Sequence, residues 1–210
     1  MNNPKYGKLL AAFIGSWFAF SLLTSAIHLY KTGLNQPPLA LGLAVVTPIL
    51  IFLVWFARSQ DFRRYLLSLD PRTLTAVHSW RVTGFVFLVL YTYGVLPGIF
   101  ALPAGWGDIT IGATAALVAK WLADPGHRRS FIAWQVLGIL DLVLAVTLAT
   151  TSTLIDPGSV PTSAMTVLPL SLIPTFFVPL LLILHLICIA QARQWSARPS
   201  RVGGALLSRV

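Results

Sequence analysis

Four ionisable residues stand inside long apolar runs of the sequence: His78, Arg81, Asp141 and His185. A charged side chain in an apolar medium needs a partner or a function, because desolvation disfavours the charged form. Asp141 lies at the centre of the apolar run 131–151 and is the sharpest candidate. We interpret it as a proton or ligand site. The alternative is a protonated carboxyl that only makes a structural hydrogen bond.

The two histidines form a second candidate site. His78 and His185 each lie towards the arginine-flanked end of an apolar run, so a helical bundle would place both imidazoles at one level. Neutral imidazoles on facing helices can ligate a haem iron from its two sides, and Arg81 is placed to pair with a propionate. The pair predicts a haem b site, with no metal site beyond that iron. The alternative is two interfacial or hydrogen-bonded histidines.

Three further roles follow from position within the runs. We expect Arg81 to extend towards the lipid headgroups of the nearer membrane surface; the alternative is a pair with Asp141 or with an anionic ligand. Asp108 follows Gly-Trp-Gly and is predicted to cap the N-terminus of a helix. His28 lies near the outer end of the first run and is predicted to anchor it at the membrane interface. Together, His28 and Asp108 would line an outer vestibule.

The composition indicates what holds these residues in place. The chain has 210 residues, of which 56% are hydrophobic and only 10% are charged, whereas a soluble domain has about 25% charged residues. So few charges cannot cover a water-facing surface, and the hydrophobicity excludes disorder. The net charge of +9 does not indicate nucleic-acid binding, because the basic residues are dispersed between apolar runs. The sequence predicts a polytopic membrane protein whose first partner is the lipid bilayer.

Six apolar runs approach the length of about 20 helical residues that crosses a bilayer. They comprise residues 8–30, 38–57, 74–96, 106–123, 131–151 and 166–190. We predict an all-α bundle of six transmembrane helices that forms one integral-membrane domain over 1–210, with a basic cytoplasmic tail at 191–210. Small residues such as Gly112 and Gly138 recur on helix faces and favour close packing. The Pro- and Gly-rich stretch 97–108 predicts a turn.

The basic residues predict the orientation. Of the 15 Lys and Arg residues, all but Lys31 lie in or beside the segments that alternate onto one side of the six runs. By the positive-inside rule, both termini are therefore cytoplasmic. The protein is predicted to be a multi-pass plasma-membrane protein, and its short loops favour a bacterial inner membrane. The segment 59–69 has apolar residues at helical spacing and predicts a short helix on the membrane surface.

Function is less determined than topology. The sequence contains no nucleophile elbow, metalloprotease motif or phosphate-binding loop, so whether the protein is an enzyme stays open. The favoured hypothesis is an accessory or structural membrane subunit that acts through a membrane-protein partner or a second copy of itself. The second is a b-type haem redox protein that uses His78 and His185. The third is a small proton-coupled transporter built round Asp141.

Overall fold

The structure is a computed structural model that describes residues 4–31 and 39–195. Within these ranges the chain is all-helical and has no β-strand, which confirms the predicted fold class. The predicted basic tail lies outside the described residues from position 196 onwards. The same is true of residues 32–38, where the second predicted run begins.

Eight α-helices follow one another in the described part of the chain. They are α1 (Pro4–Ala26), α2 (Leu39–Arg58), α3 (Gln60–Leu67), α4 (Pro71–Ala76), α5 (Phe85–Thr92), α6 (Gly98–Trp121), α7 (Arg128–Ile155) and α8 (Val178–Gln194). A 3₁₀-helix, Val77–Gly84, joins α4 to α5, so that Pro71–Thr92 is one composite helix. A π-helical turn, Ile173–Phe177, leads into α8.

Five helical segments of the described chain are long and apolar enough to cross a membrane. They are Tyr6–Ala26, Leu39–Arg58, Pro71–Thr92, Pro125–Ile155 and Ile173–Gln194. Helix α6 has 24 residues and is about 36 Å long at 1.5 Å per residue, but it contains Asp108 and several glycines and is less apolar. It packs against the composite helix on one side and against α7 on the other. Helix α6 is therefore in contact with other helices over much of its length.

Helix α6 begins earlier than the sequence predicted. Pro97 precedes it with an extended backbone (φ −69°, ψ 139°), and the helix then continues through Pro103. The stretch predicted as a turn is therefore mostly helical. Asp108 lies in the middle of the helix, and its predicted N-cap role is wrong. Glycine and proline disfavour helix locally, but Gly105 lies directly against Leu88 of the composite helix, and such close packing stabilises the helical form.

The last of the five segments, Ile173–Gln194, departs from regular α-helix near its prolines. Pro179 has no N–H, so it leaves the carbonyl of Thr175, four residues earlier, without its helical partner. Two side chains of α1 donate to that carbonyl: Trp17 Nε1 at 3.2 Å and Ser21 Oγ at 3.4 Å. A proline in α8 thus creates the acceptor that holds α1 against the bundle.

Helix α3 closes one end of the bundle. Its apolar residues Phe62 and Leu66 are buried against Phe52 of α2 and Ile187 of α8, and the Gln191 side chain donates to the carbonyl of Leu66 at 3.0 Å. The short helix predicted here exists, but its apolar face covers the bundle. Basic residues cluster in this region, which we call the basic end. It is defined by Arg58, Arg63, Arg64, Arg72, Lys120, Arg128, Arg129 and Arg193.

Candidate functional site

Arg81 is the centre of a buried polar cluster. Its side chain is 1% exposed. Nε donates to Asp108 Oδ1 at 2.6 Å, and Nη2 donates to Asp141 Oδ2. Nη1 donates to the carbonyl of Gly138 at 3.3 Å and lies 3.4 Å from His185 Nε2. The arginine therefore does not extend towards headgroups, and the alternative expectation, a pair with Asp141, is confirmed.

The cluster lies at mid-height in the bundle. Arg81, Asp108, Asp141 and His185 are each near the midpoint of their helical segment: the composite helix, α6, α7 and the last segment. A side chain at the middle of a segment that could span a membrane is far from both surfaces. Partners inside the bundle must therefore compensate the charge of Arg81.

Glycines allow the helices to approach this closely. A Cβ atom at Gly107 would overlap the Asp141 carboxylate, and one at Gly138 would overlap the ring of His185. Gly84 has the same relation to Asp108. Gly138 stood out in the sequence only as a small residue on a packing face, and the roles of Gly84 and Gly107 were missed. The sequence could have indicated both roles, because each of these glycines lies close to an ionisable residue within an apolar run.

His185 continues the cluster as a chain of hydrogen bonds. Its Nδ1 lies 2.5 Å from Gln135 Oε1, and Gln135 Nε2 donates to Thr75 Oγ1 at 3.1 Å. The Thr75 hydroxyl lies 3.8 Å from Cys188 Sγ. Because a guanidinium can only donate, Nε2 of His185 is the acceptor for Arg81. The proton of His185 is therefore on Nδ1, where it is donated to Gln135.

Sequence reasoning missed Gln135 and Thr75. Gln135 has a usable signal, since it precedes Gly138 and Asp141 at intervals of three residues and so lies on the same side of α7. Thr75 carries no such signal, because threonine is common in membrane helices and usually bonds its own backbone.

His78 stacks on His185. The ring centroids are 3.8 Å apart with an interplanar angle of 19°, and the edge of Trp134 lies against the His78 ring at 6.0 Å between centroids. The side chain is fully buried, and neither ring nitrogen has a hydrogen-bond partner among the described residues. The two histidines are thus brought together, as the sequence predicted.

This geometry does not fit the haem hypothesis. Axial ligation requires two imidazoles on opposite faces of a porphyrin, each directing one nitrogen at the iron between them. Here the His78 and His185 rings are in direct contact face to face, and both nitrogens of His185 are engaged by protein groups. The sequence could place both imidazoles at one level, but it could not give the distance between their helices.

The predicted outer vestibule is not formed. His28 is exposed in the turn that follows α1, where its φ is 58°. Asp108 instead contacts Arg81 and lies against Gly84 inside the bundle. The expectation failed because it placed Asp108 at a helix terminus rather than at mid-helix.

The charges of the cluster do not balance. One guanidinium faces two carboxylates, so full ionisation would leave one uncompensated negative charge in a low-dielectric environment, which is strongly unfavourable. The side chains of Asp108 and Asp141 are 19% and 14% exposed, against 1% for Arg81. The carboxylates are thus the more accessible part of the cluster. The arrangement can bind one proton or one small cation there.

Two aspartates at the basic end have ordinary capping roles. The hydroxyl of Thr73 donates to Asp70, which caps α4, and this bond lowers the pKa of Asp70 from its usual value of 3.8. Asp124 caps the short turn before α7, and its hydrogen bond with His127 lowers the pKa of the Asp124 carboxyl. These groups stabilise loops and lie outside the cluster.

The chain belongs to the family described as domain of unknown function DUF8737, whose sequence profile matches residues 36–193. The matched range contains every residue of the buried cluster and begins after the end of α1. Comparison with curated proteins gives no match, and comparison with solved structures gives none either.

Proposed function

We propose that the protein is a small proton-coupled transporter whose proton-binding site is the carboxylate pair Asp108 and Asp141, bridged by Arg81. The observation that carries this proposal is the charge imbalance: two carboxylates share one guanidinium that is 1% exposed. Ionisable groups placed at this depth in a membrane typically line proton or ion pathways. Binding one proton neutralises the cluster, and releasing it creates a charge that favours a different packing.

The proposal includes a topology of six spans with both termini in the cytoplasm. Helix α6 is added to the five apolar segments as one more span, the fourth in chain order. With 24 residues it is long enough, and a less apolar sequence suits a helix whose neighbours are other helices. The clustering of basic residues at one end of the bundle supports a cytoplasmic location for that end. A multi-pass protein of a bacterial inner membrane fits this arrangement.

A proton suits the site better than a larger cation. Gly107 packs so closely against Asp141 that even a Cβ atom would not fit, and Gly84 does the same beside Asp108. A hydrated or coordinated metal ion needs several oxygen ligands at more than 2 Å, whereas a proton needs no additional space. The glycine packing therefore favours protonation as the means of neutralising the cluster.

The 3₁₀-helix Val77–Gly84 is the element best suited to move with protonation. A 3₁₀ stretch in the middle of a longer helix has poorer hydrogen-bond geometry and often marks a hinge. It contains Arg81, which contacts both carboxylates. When Asp141 takes up the proton, the guanidinium keeps a charged partner only at Asp108. The preferred position of the 3₁₀ segment then shifts towards α6.

The test is proton-coupled uptake in liposomes. The purified protein is reconstituted with an entrapped pH-sensitive dye, and amino acids, sugars and organic acids are added singly from outside. At least one should drive proton entry in the wild type, while Asp141→Asn should abolish that signal. Asp156→Asn, in the exposed connection after α7, is the matched control and should leave it unchanged. Equal signals from wild type and Asp141→Asn would overturn the proposal.

A second candidate function is an accessory or structural subunit that acts through a partner protein. The observation that favours it is the dense packing of the cluster. Arg81 is bonded to several partners, and the helices approach so closely at the glycines that no space remains for a Cβ atom. In that case Asp141→Asn would lower stability without changing any response to pH, and a second membrane protein would copurify in mild detergent.

A further inference from the structure

His78 is the only ionisable side chain among the few buried polar groups that lack a hydrogen-bond partner in the described residues; the others are the hydroxyls of Ser25, Ser152 and Ser171 and the Oε1 atom of Gln191. The His78 side chain is 0% exposed, and neither ring nitrogen has a hydrogen-bond partner among the described residues. Most buried polar atoms are paired, because leaving one unpaired costs stability. Packing alone does not require that cost, because an apolar ring of similar size would stack on His185 and Trp134 as well.

The two stacked histidines differ in what their nitrogens can do. In His185, Nε2 accepts from Arg81 and Nδ1 donates to Gln135, so both nitrogens are committed. In His78 neither nitrogen has a partner within the part of the chain that the structure describes. A proton carrier must take a proton on one nitrogen and release one from the other. Of the pair, only His78 has that capacity in this arrangement.

The surroundings of His78 place it beside the carboxylate site. Arg81 follows it by one turn of the same 3₁₀-helix, and residues three apart are eclipsed in that geometry. On the neighbouring helices, Asp108 and Asp141 accept hydrogen bonds from Arg81, while His185 touches the His78 ring directly. The remaining titratable group nearby is the thiol of Cys188, bonded to Thr75.

The direction of access follows from chain order. His78 precedes Arg81 on the composite helix, so it lies on the side of the cluster that faces the basic end. The part of the composite helix beyond Arg81 packs into an apolar cluster. That cluster consists of Phe87, Leu96, Phe100, Ala101, Ala104 and Met165. Along the composite helix, a proton approaching from the basic end therefore meets an imidazole, whereas one approaching from the opposite end meets the side chains of this apolar cluster.

We infer that His78 is the proton-transfer group that connects the Asp108 and Asp141 carboxylates with water at the basic end. A proton from water binds one ring nitrogen and gives the imidazolium. Since neither carboxylate is within hydrogen-bond distance of the ring, the proton on the other nitrogen then passes to a carboxylate over water, and the ring returns to neutrality as the opposite tautomer. This inference rests on the proposed function, because it requires that the carboxylates exchange a proton.

The experiment follows carboxyl protonation after a rapid drop in pH, using time-resolved infrared spectroscopy on the protein in nanodiscs. The wild type should develop a protonated-carboxyl band that Asp141→Asn diminishes. His78→Gln should reach the same final amplitude about 100-fold more slowly, the size expected for loss of a positioned proton-transfer group. His127→Gln, at the exposed turn before α7, is the matched control and should keep the wild-type rate.

The outcomes separate the two proposals. If the wild type shows no carboxyl band, the proposed function fails. If the band develops in His78→Gln at the wild-type rate, the role of His78 fails while the proton site stands. If His78→Gln does not fold, wild-type protein with isotope-labelled histidine decides. A transient imidazolium signal before the carboxyl band supports the inference, and its absence overturns it.

Discussion

Replacing Arg81 by methionine tests the energetic account of the cluster. Methionine has a similar volume but no charge, so Arg81→Met leaves two carboxylates facing each other without a cation. The substitution also removes the donors to the Gly138 carbonyl and to His185 Nε2. The arginine side chain is 1% exposed, so water cannot take its place without opening the bundle.

The expected loss is about 3–5 kcal/mol in the free energy of unfolding, the range for removing one partner of a buried ion pair. The individual bonds are not added to this figure, because contacts within one network are not additive. The assay is reversible unfolding of purified protein in mixed micelles of mild detergent and SDS. Arg64→Met is the matched control: its pair with Asp61 is exposed on α3, and the expected change is within about 0.5 kcal/mol.

A compensating variant makes the test sharper. Combining Arg81→Met with Asp108→Asn and Asp141→Asn removes every charge of the cluster, and neutral replacements of buried ion pairs are often tolerated. The triple variant should therefore be more stable than Arg81→Met alone. A cost of less than about 1 kcal/mol for Arg81→Met, the level of an exposed pair, would show that Arg81 does not compensate the two carboxylates, as would a triple variant no more stable than the single one.

Three further outcomes are expected. Gly138→Ala should destabilise the protein by about 1–3 kcal/mol, because the added methyl group overpacks against the neighbouring imidazole. Gly42→Ala should not, because its Cβ would meet open space. Unfolding in detergent measures both. Gln135→Leu should cost about 1–3 kcal/mol because it leaves a buried imidazole N–H without its acceptor, seen in the same assay. Asp70→Ala should cost about 1 kcal/mol at neutral pH through loss of the α4 cap. The Thr73 hydrogen bond lowers the pKa of Asp70 in the folded state. The stability difference between the wild type and Asp70→Ala is therefore complete above pH 3.8, and it shrinks as the pH falls through the pKa of Asp70 in the folded protein. Unfolding measured over a pH series checks it.

The residues of the site could be named from the sequence because membrane runs make ionisable groups conspicuous. Arg81, Asp141, His78 and His185 stand out against apolar neighbours, and the structure brings them together. Their pairing was harder to predict. The sequence favoured an arginine reaching for headgroups, because it placed the start of the third run at Leu74. The helix in fact runs from Pro71 to Thr92, and its earlier start and earlier end place Arg81 at its midpoint.

The fourth run shows why helix bounds failed where composition was ambiguous. Residues 97–108 contain prolines and glycines that are typical of a turn in water. Inside a bundle the same glycines allow close helix approach, as Gly105 does against Leu88 of the composite helix and Gly107 does against Asp141 of α7. Tertiary packing thus overrides local propensity there. The misplaced start also gave Asp108 a capping role, when its true partner is an arginine distant in sequence.

Infrared spectroscopy of the equilibrated protein tests the central claim most directly: that the Asp108 and Asp141 pair holds one proton beside Arg81. The wild type should show a protonated-carboxyl band at neutral pH, shifted by exchange into heavy water and diminished in Asp108→Asn and Asp141→Asn. Asp156→Asn should leave the band unchanged. The absence of such a band from the wild type at every pH where the protein stays folded would contradict the account.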